Sequence, residues 1–439
     1  MRCSLIPQLI HSQLSPLLAQ PFVTPSPAAP QGAGYAPAPW AAKVVLRLLT
    51  RLEVGTLTVH LPGGSARTFV GAVAPEALHA TLTINDWQVF ARALRGGDIG
   101  FAECFIEGLW SANETADDLP ALIALLAQNR HLLERAVYGS WLGQLVYRIK
   151  HWLKRNSKPQ AQKNIHAHYD LGNDFYALML DPSMTYSSAL FDGDFALSLE
   201  AAQRAKYQRV LHELQLQNGA DILEIGCGWG GFAQVALEQP QARVTGVTLA
   251  CEQLAYANQR LDAFAERARL TLTDYRDLNT QFDGIASIEM FEAVGEAYWP
   301  DYFQCLKRCL KPGGRAVVQT ITIADELFAQ YRTGTDFIQQ FIFPGGMLPS
   351  PEVFRAYAAR AGLRVASEHA FGLDYAETLR RWRKAFLEQR DAVRALQPVN
   401  QMAAFDQRFL RTWEFYLAYC EGAFRARSTD VVQFTLAHA

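Results

Sequence analysis

The stretch that decides the fold is Ile222-Leu223-Glu224-Ile225-Gly226-Cys227-Gly228-Trp229-Gly230-Gly231. Its isoleucine and leucine residues predict a strand that is buried on both faces of a parallel sheet, and the apolar pattern over 232–237 predicts a helix. The glycines between them allow a tight turn that brings backbone amides and a helix N-terminus close to a ligand. Taken alone, these glycines are also compatible with an ordinary strand-to-helix turn.

The segments that follow alternate between strand and helix patterns. Strands are predicted over 243–248, 284–288 and 315–320, helices over 252–260 and 299–310, and a turn over 311–314. Strands that alternate with helices predict an α/β domain with a doubly wound sheet.

A dinucleotide-binding domain has a similar alternation, so the end of the second strand needs a closer look. A nicotinamide or flavin site requires an acidic residue there, about 20 residues past the glycines, to bind the ribose. The strand ends instead with Thr248-Leu249-Ala250. The pattern therefore fits poorly with a nicotinamide-dependent oxidoreductase.

Length and composition set wide limits. The 439 residues allow two or three domains, and the content of 50% hydrophobic and 19% charged residues is ordinary for a globular protein. A net charge of −2 gives no overall attraction to anionic partners, and no nucleic acid is expected. No apolar run reaches the roughly 18 residues of a membrane-spanning helix.

The cysteines indicate a reducing compartment. They are scattered and odd in number, at positions 3, 104, 227, 251, 305, 309 and 420. This pattern argues against a disulfide framework and a structural zinc site, and it favours the cytoplasm. His166 and His168 have no third ligand at metal spacing, so we expect no metal.

Several motifs together resemble the cyclopropane-fatty-acyl-phospholipid synthase family, which includes the mycolic-acid cyclopropane synthases. The resemblance begins near residue 75 and extends to the C-terminus. The motifs are Glu224-Ile-Gly-Cys-Gly-Trp-Gly-Gly231, Gly246-Val-Thr-Leu-Ala-Cys-Glu-Gln253, Asp274-Tyr-Arg-Asp-Leu278, Met290-Phe-Glu-Ala-Val-Gly295, His168-Tyr-Asp-Leu-Gly-Asn-Asp174, Thr185-Tyr-Ser-Ser188, Phe343-Pro-Gly-Gly-Met-Leu-Pro349, Gly372-Leu-Asp-Tyr375 and Tyr419-Cys-Glu-Gly-Ala-Phe-Arg-Ala-Arg427.

This resemblance implies a class I methyltransferase fold: a Rossmann-like doubly wound sheet with a small α+β N-terminal domain and helical C-terminal additions. The implied organisation is a Pro/Ala-rich disordered tail over 1–40, the small domain over 41–135, a basic amphipathic linker helix over 136–160 and a catalytic domain over 161–439. In longer relatives the small domain is associated with lipid engagement and with the dimer. A purely stabilising appendage is an equal alternative on these residues.

The implied reaction transfers a methyl group from S-adenosylmethionine to the cis double bond of an unsaturated phospholipid acyl chain. An alkene is a poor nucleophile, so the methyl donor must be aligned with it and water excluded. The resulting carbocation needs aromatic faces, and a base must remove a proton for ring closure. The resemblance also implies a homodimer and peripheral attachment to the inner face of the membrane.

The resemblance assigns the cofactor site to residues in four segments. They are Tyr186 and Ser187; Glu224, Gly226, Cys227, Gly228, Trp229, Gly230 and Gly231; Thr248, Leu249 and Gln253; and Tyr275 and Arg276.

In the family the base is attributed to bound bicarbonate. The matching residues here are Glu292, Tyr375, Ser188, Gln319 and the backbone of Ile321. Ser188 replaces a cysteine and Gln319 a histidine of well-known bacterial members. Both replacements can still donate hydrogen bonds, but glutamine lacks the charge of a histidine, which would weaken anion binding. A solvated helix cap is the alternative for Glu292.

Other outcomes remain open. Cys420 matches a cysteine suspected of catalysis, although a small buried residue is the alternative. Relatives with a similar Glu-Ala-Val-Gly motif include enzymes that give methylene or methyl-branched chains without closing a ring. A catalytically silent lipid-binding protein is the alternative from another class. The basic helix over 136–160 fits a membrane interface or a packed domain surface.

Overall fold

The computed structural model describes residues 38–75, 78–112, 115, 117–132, 171–397 and 404–439. The predicted basic helix over 136–160, both histidines of the pair at 166 and 168, and nearly all of the predicted tail over 1–40 lie outside these residues. Within the described ranges, no helix combines the length and apolar character that are needed to cross a bilayer.

The N-terminal unit is a small mixed sheet with three helices. Its strands lie in the order β2-β1-β3-β4, with β1 antiparallel to β2 and parallel to β3. The elements are α1 (Trp40–Leu49), β1 (Thr56–His60), β2 (Ala66–Val70), β3 (His79–Ile84), α2 (Gln88–Ile106), β4 (Trp110–Ser111) and α3 (Asp118–Gln128).

The second sheet has seven strands in the order β10-β11-β9-β8-β5-β6-β7. The five from β7 to β9 in this order are parallel, and β11 is antiparallel to both β9 and β10. The strands are β5 (Asp221–Ile225), β6 (Arg243–Thr248), β7 (Ala268–Leu272), β8 (Phe282–Ile288), β9 (Leu310–Ile323), β10 (Leu363–Ala370) and β11 (Thr429–His438). The α/β fold expected from the sequence is confirmed.

Helices cover both faces of this sheet and continue past it at the C-terminus. They are α4 (Asn173–Ala177), α5 (Leu199–Leu214), α6 (Gly231–Leu237), α7 (Cys251–Arg260), α8 (Trp299–Cys309), α9 (Asp325–Thr333), α10 (Pro351–Arg360), α11 (Gly372–Glu388), α12 (Arg390–Ala395) and α13 (Gln407–Arg425). Short 3-10 turns lie at Asp262–Phe264, Tyr275–Asp277, Phe291–Ala293 and Glu296–Tyr298, and a π-turn at Ile338–Ile342.

The turn predicted over 311–314 lies inside strand β9. Leu310 already pairs with Phe282 of β8, and the pairing resumes at Arg315 opposite Gly284 after a shift in register. Gly313 takes up the extra length with φ +81°, a conformation that glycine adopts readily. Four residues of β9 therefore lie opposite one residue of β8, so the segment interrupts the ladder within one strand.

Apolar packing joins the N-terminal unit to the C-terminal helices. The ring of Phe415 on α13 lies 5.4 Å from Phe105 and 6.2 Å from Trp110, and all three side chains are buried. The guanidinium of Arg411 donates to the backbone carbonyl of Phe105 at 2.7 Å. The N-terminal unit therefore shares a core with the helices that carry part of the candidate site.

Candidate active site

A cavity of about 160 Å³ lies at the carboxyl ends of β5, β6 and β8, which is where ligands bind in open α/β sheets. Thirteen of the fourteen residues assigned to the cofactor from the sequence line it. They are Tyr186, Ser187, Glu224, Gly226, Cys227, Gly228, Trp229, Gly231, Thr248, Leu249, Gln253, Tyr275 and Arg276.

The glycine loop after β5 gives this cavity a close backbone wall. Gly226 has φ +86°, and a Cβ there would lie 2.9 Å from Cγ of Met290. Gly230, the fourteenth assigned residue, has φ +80° and is the N-cap of α6 rather than part of the lining. Both positions need the conformational freedom of glycine, so the loop can approach a ligand without side chains in between.

Glu224 places a carboxylate inside the cavity wall. The residue is buried, and burial raises the pKa of Glu224 well above its usual range. Its Oε2 atom has no hydrogen-bond partner among the described residues. A buried carboxylate oxygen without a partner is costly, so this atom suits a ligand that brings a hydrogen-bond donor or a positive charge.

Glu289, a residue that we did not predict, lines the same cavity directly after β8. Three groups donate hydrogen bonds to its carboxylate, from separate parts of the chain. They are the backbone N–H of Ser188 at 2.8 Å, Nε2 of Gln319 at 2.7 Å and the hydroxyl of Tyr375 at 2.6 Å. Glu289 has φ +50°, an unusual conformation for a residue that is not glycine. Such strain persists where the surroundings hold a functional side chain in place.

The amide of Gln319 has a defined orientation. Gln433, its register partner on β11, donates from Nε2 to Oε1 of Gln319 at 2.9 Å. Since the oxygen of Gln319 accepts this bond, its NH₂ group faces Glu289. Gln433 thus fixes the amide of Gln319 as a donor to the carboxylate.

Glu292 lies close to Glu289 but accepts hydrogen bonds from different groups. Its Oε1 accepts from the backbone N–H of Ile321 at 2.5 Å and from Oγ1 of Thr320 at 3.0 Å. Burial, and secondarily the charge of Glu289, raise the pKa of Glu292 to about 8. Burial also raises the pKa of Glu289, but three donors favour its charged form. The three donors therefore oppose the effect of burial on Glu289, whereas burial and the charge of Glu289 both favour the protonated form of Glu292.

The family of this chain follows from its match to a model of a known protein family. A model of the mycolic acid cyclopropane synthetases matches residues 156–434, more than half of the chain. The chain belongs to this family.

Two relatives match most of the chain. It is 38% identical to the tuberculostearic acid methyltransferase UfaA1 of Mycobacterium tuberculosis over 409 residues, which cover 90% of this chain and 91% of that one. It is 33% identical to the cyclopropane-fatty-acyl-phospholipid synthase of Escherichia coli over 362 residues, covering 81% and 87%. Both matches are longer than the segment that the family model matches.

Solved structures of family members share the fold. The cyclopropane synthase MmaA2 of Mycobacterium tuberculosis superposes with a TM-score of 0.57 at 32% identity, covering 63% of this chain and 98% of that one. The mycolic acid cyclopropane synthase CmaA1, complexed with SAH and CTAB, gives 0.56 at 33% identity, covering 63% and 97%. The chain is therefore an S-adenosylmethionine-dependent methyltransferase of the cyclopropane synthase family, whose members methylate or cyclopropanate lipid acyl chains.

The structure departs from the bicarbonate site that the family resemblance implies. Ser188, Gln319 and Tyr375 were expected to hold the anion, yet all three donate to Glu289. The hydroxyl of Ser188 donates to the carbonyl of Ala189 at 2.9 Å. Ile321 serves Glu292 through its backbone N–H. These donors do not fit a separate anion, because their hydrogen bonds already end on side chains of the protein.

Aromatic side chains stand beside Tyr375. The hydroxyls of Tyr186 and Tyr416 lie 2.7 Å apart, and the ring of Tyr186 lies 5.3 Å from Trp382. The ring of Tyr375 lies 6.2 Å from the same tryptophan. Tyr186 lines the cavity, whereas Tyr375, Tyr416 and Trp382 are buried in contact with one another or with Tyr186.

Cys420 lies on α13 near this aromatic cluster. Burial raises the pKa of its thiol, so the thiol stays protonated at neutral pH. A protonated thiol is a weak nucleophile.

Among the described residues, moreover, no group of three or more side chains is placed to bind a metal ion.

Proposed function

We propose that this protein transfers a methyl group from S-adenosylmethionine to a cis double bond in an unsaturated phospholipid acyl chain, and that Glu289 is the base that completes the reaction. The observation that carries the proposal is the carboxylate of Glu289, which lines the cofactor cavity and accepts hydrogen bonds from Ser188, Gln319 and Tyr375. A cyclopropane ring is the proposed product.

The residues of the cavity fit the cofactor. The Glu224 oxygen that has no partner among the described residues suits the ammonium of an amino acid, and Thr248 at the end of β6 and Gln253 on α7 provide buried polar groups. Bound S-adenosylmethionine supplies a methyl group on a sulfonium, the electrophile that an alkene requires.

The proton transfer follows from the position of Glu289. When the π electrons of the alkene form a bond to the methyl carbon, the sulfur–carbon bond breaks and the other alkene carbon becomes cationic. The carboxylate of Glu289 takes a proton from the new methyl group, and the electrons of that C–H bond close the ring. A positioned base contributes about 10²- to 10⁴-fold to such a step.

The aromatic cluster supports the cationic stage. The ring of Tyr186 lines the cavity and can attract a cation without forming a covalent bond to it, and Tyr416 and Trp382 contact Tyr186. The carboxylate of Glu289 has about four lone-pair sites and accepts three hydrogen bonds, so about one site is left to take a proton from the new methyl group.

Glu289 also explains the two departures from the family pattern. Ser188 and Gln319 had suggested a weakened bicarbonate site and hence a silent lipid-binding protein. In the proposed enzyme both residues serve an internal carboxylate, so neither a cysteine nor a histidine is needed to hold a free anion.

Methylation without ring closure is a second candidate. The likeness to a tuberculostearic acid methyltransferase over 90% of the chain favours it. Loss of a proton from the methyl group after a hydride shift along the chain would leave a methylene product. Loss from a neighbouring chain carbon would leave a methyl-branched alkene. In either case the cofactor cavity and the aromatic cluster would have the same roles.

We further propose that the substrate is reached at the inner face of the cytoplasmic membrane by a peripherally bound homodimer. The support is the phospholipid named for the Escherichia coli relative, together with the basic amphipathic pattern of residues 136–160.

The test is mass spectrometry of acyl chains after incubation of the purified protein with cis-monounsaturated phospholipid vesicles and methyl-deuterated S-adenosylmethionine. Product with two deuteriums indicates loss of a methyl proton, and hydrogenation then separates a methylene group from a strained ring. Three deuteriums indicate that the proton left another carbon. Unlabelled lipid would refute acyl methylation, and labelling of free fatty acid alone would refute the phospholipid substrate.

A further inference from the structure

Lys206 on α5 is a buried cation that the proposed reaction does not use. Its side chain has no exposed surface. Lysine is almost never fully buried unless its charge is compensated. Its surroundings therefore indicate what its ammonium group does.

One face of α5 holds the segment that carries Tyr186 and Ser187. Lys206 Nζ lies 2.6 Å from Oγ of Ser187, and Nε2 of Gln203 donates to the carbonyl of Ser187 at 2.8 Å. The hydroxyl of Tyr207 lies 2.9 Å from Oγ1 of Thr185. The three helix residues are spaced i, i+3 and i+4, so they share one face of α5 and contact a single strip of chain.

The hydrogen bond from Lys206 fixes the role of the Ser187 hydroxyl. An ammonium group only donates, so Oγ of Ser187 accepts this bond and must direct its own proton elsewhere. Ser187 lines the cofactor cavity and, within the described part of the chain, its hydroxyl makes no other hydrogen bond. Its proton is therefore available to an anionic group inside the cavity.

The charges around Lys206 keep its ammonium form accessible. Burial lowers the pKa of Lys206 to about 7, and carboxylates on three other segments oppose that shift. They are Glu289 after β8, Glu224 on β5 and Asp181 in the segment before Ser187. On its own helix, Lys206 lies 4.3 Å above the ring of Tyr207. The cation thus lies within electrostatic reach of Glu224 and Glu289, two carboxyl groups that line the cavity.

We propose that Lys206 is a positioning residue that holds the Ser187 hydroxyl as a donor to the carboxylate at the amino-acid end of the cofactor. The inference rests on the proposed use of S-adenosylmethionine. It assigns recognition of the α-carboxylate to a serine whose orientation is set by a buried lysine. The adenosine part of the cofactor has no carboxylate, so its binding does not depend on Lys206.

The test compares two ligands of the purified protein by isothermal titration calorimetry. S-adenosylhomocysteine contains the amino-acid end, and 5′-methylthioadenosine lacks it. Hydrogen bonds to charged groups are strong enough that Lys206→Met should weaken S-adenosylhomocysteine about tenfold to a hundredfold and leave methylthioadenosine within about twofold. Lys384→Met, on the exposed surface of α11, is the matched control and should change neither affinity.

A structural role of Lys206 would give another pattern. Equal weakening of both ligands by Lys206→Met, or no weakening of either, would overturn the proposal. Ser187→Ala keeps the buried lysine and tests the same hydroxyl if Lys206→Met does not fold. It should show the same selective loss, and unchanged affinity for S-adenosylhomocysteine would refute the proposal. In the double variant the losses should not add, because both changes remove one interaction.

The outcome is separable from that of the proposed function. If Lys206→Met weakens S-adenosylhomocysteine alone but the wild-type protein labels no lipid, acyl methylation is refuted and the role of Lys206 stands. If lipid is labelled while Lys206→Met weakens both ligands equally, acyl methylation stands and the role of Lys206 is refuted.

Discussion

The cavity that we assign to the cofactor and the site of Glu289, the proposed base, adjoin each other but are assembled differently. One wall of the cavity is the backbone of a single continuous loop after β5. Glu289 depends on donors from the Ser188 segment, from β9 and from α11. A local motif can form a cofactor site in many enzymes. A carboxylate that accepts hydrogen bonds from three separate segments, as Glu289 does, depends on how this particular chain packs. Changes in the two regions should therefore have separable effects.

The largest effect is expected from Glu289→Gln, which keeps the shape of the side chain but removes the base. Turnover should fall about 10²- to 10⁴-fold, as for loss of a general base. The affinity for S-adenosylhomocysteine should stay within about twofold, because the glycine loop is untouched. Steady-state methyl transfer and calorimetry measure the two quantities. Glu368→Gln on the surface is the control, and retention of more than about a tenth of the activity by Glu289→Gln would contradict its role as base.

A second variant, Glu289→Gly, sharpens the comparison with relatives that use bicarbonate. It removes the carboxylate, relieves the positive φ and releases the donors of Ser188, Gln319 and Tyr375. Added bicarbonate should therefore raise its turnover about tenfold or more, because the vacated donors favour an anion. Glu289→Gln, whose side chain still fills the site, should not respond. Turnover of Glu289→Gly that is unchanged by bicarbonate would show that these donors cannot bind a free anion.

In the other region, Gly226→Ala should damage cofactor binding. Its Cβ would meet Met290 at 2.9 Å in a backbone conformation with φ +86°. The strain is of the order of 1–3 kcal/mol, which corresponds to about a fivefold to 150-fold loss of affinity for S-adenosylhomocysteine if the loop shifts to relieve it. Calorimetry measures this loss, and Gly64→Ala, an exposed turn with a similar φ, is the control for backbone strain alone. Equal losses of affinity in both variants would refute a local effect on the cavity.

The smallest effect concerns pH and Glu292. Its pKa rises to about 8 in the folded protein, so the folded state binds a proton that the unfolded state has already released at neutral pH. This proton stabilises the fold relative to an ionised Glu292, and stability declines as the pH rises from about 4.5 to about 8. Glu292→Gln should reduce that decline. Thermal unfolding of the wild type and of Glu292→Gln at about pH 5 and about pH 8 measures this decline. Equal losses of stability in the two proteins between these pH values would show that Glu292 is already ionised.

The sequence grouped the residues that line the cavity better than those around Glu289, for a physical reason. Residues 224 to 231 and 248 to 253 are close in the chain to strand ends, and the carboxyl ends of parallel strands meet at one edge of the sheet. Knowing the strands is then enough to bring these residues together. Thirteen of fourteen assigned residues line the cavity on that basis.

The sequence contained a partial indication that Glu289 is a functional residue. It follows the predicted strand over 284–288 directly, the position at which functional side chains gather. The motif that we used begins one residue later, at Met290. Which donors face which carboxylate depends on side-chain geometry between β8, β9 and α11, and no periodicity in the chain encodes it. The buried Lys206 was missed for a similar reason, since helical spacing alone does not distinguish a buried cation from a solvated one.

As a side chain, Glu289 differs from a dissolved bicarbonate ion in how the proposed base is supplied to the site. A dissolved anion occupies its site according to its concentration and dissociation constant, so the working fraction of such an enzyme varies with dissolved inorganic carbon. A side chain has an effective concentration set by the fold, and it is present in every molecule at every turnover. The enzyme should therefore keep its full rate in solutions purged of carbon dioxide, and lipid modification in the cell would be independent of respiratory gas.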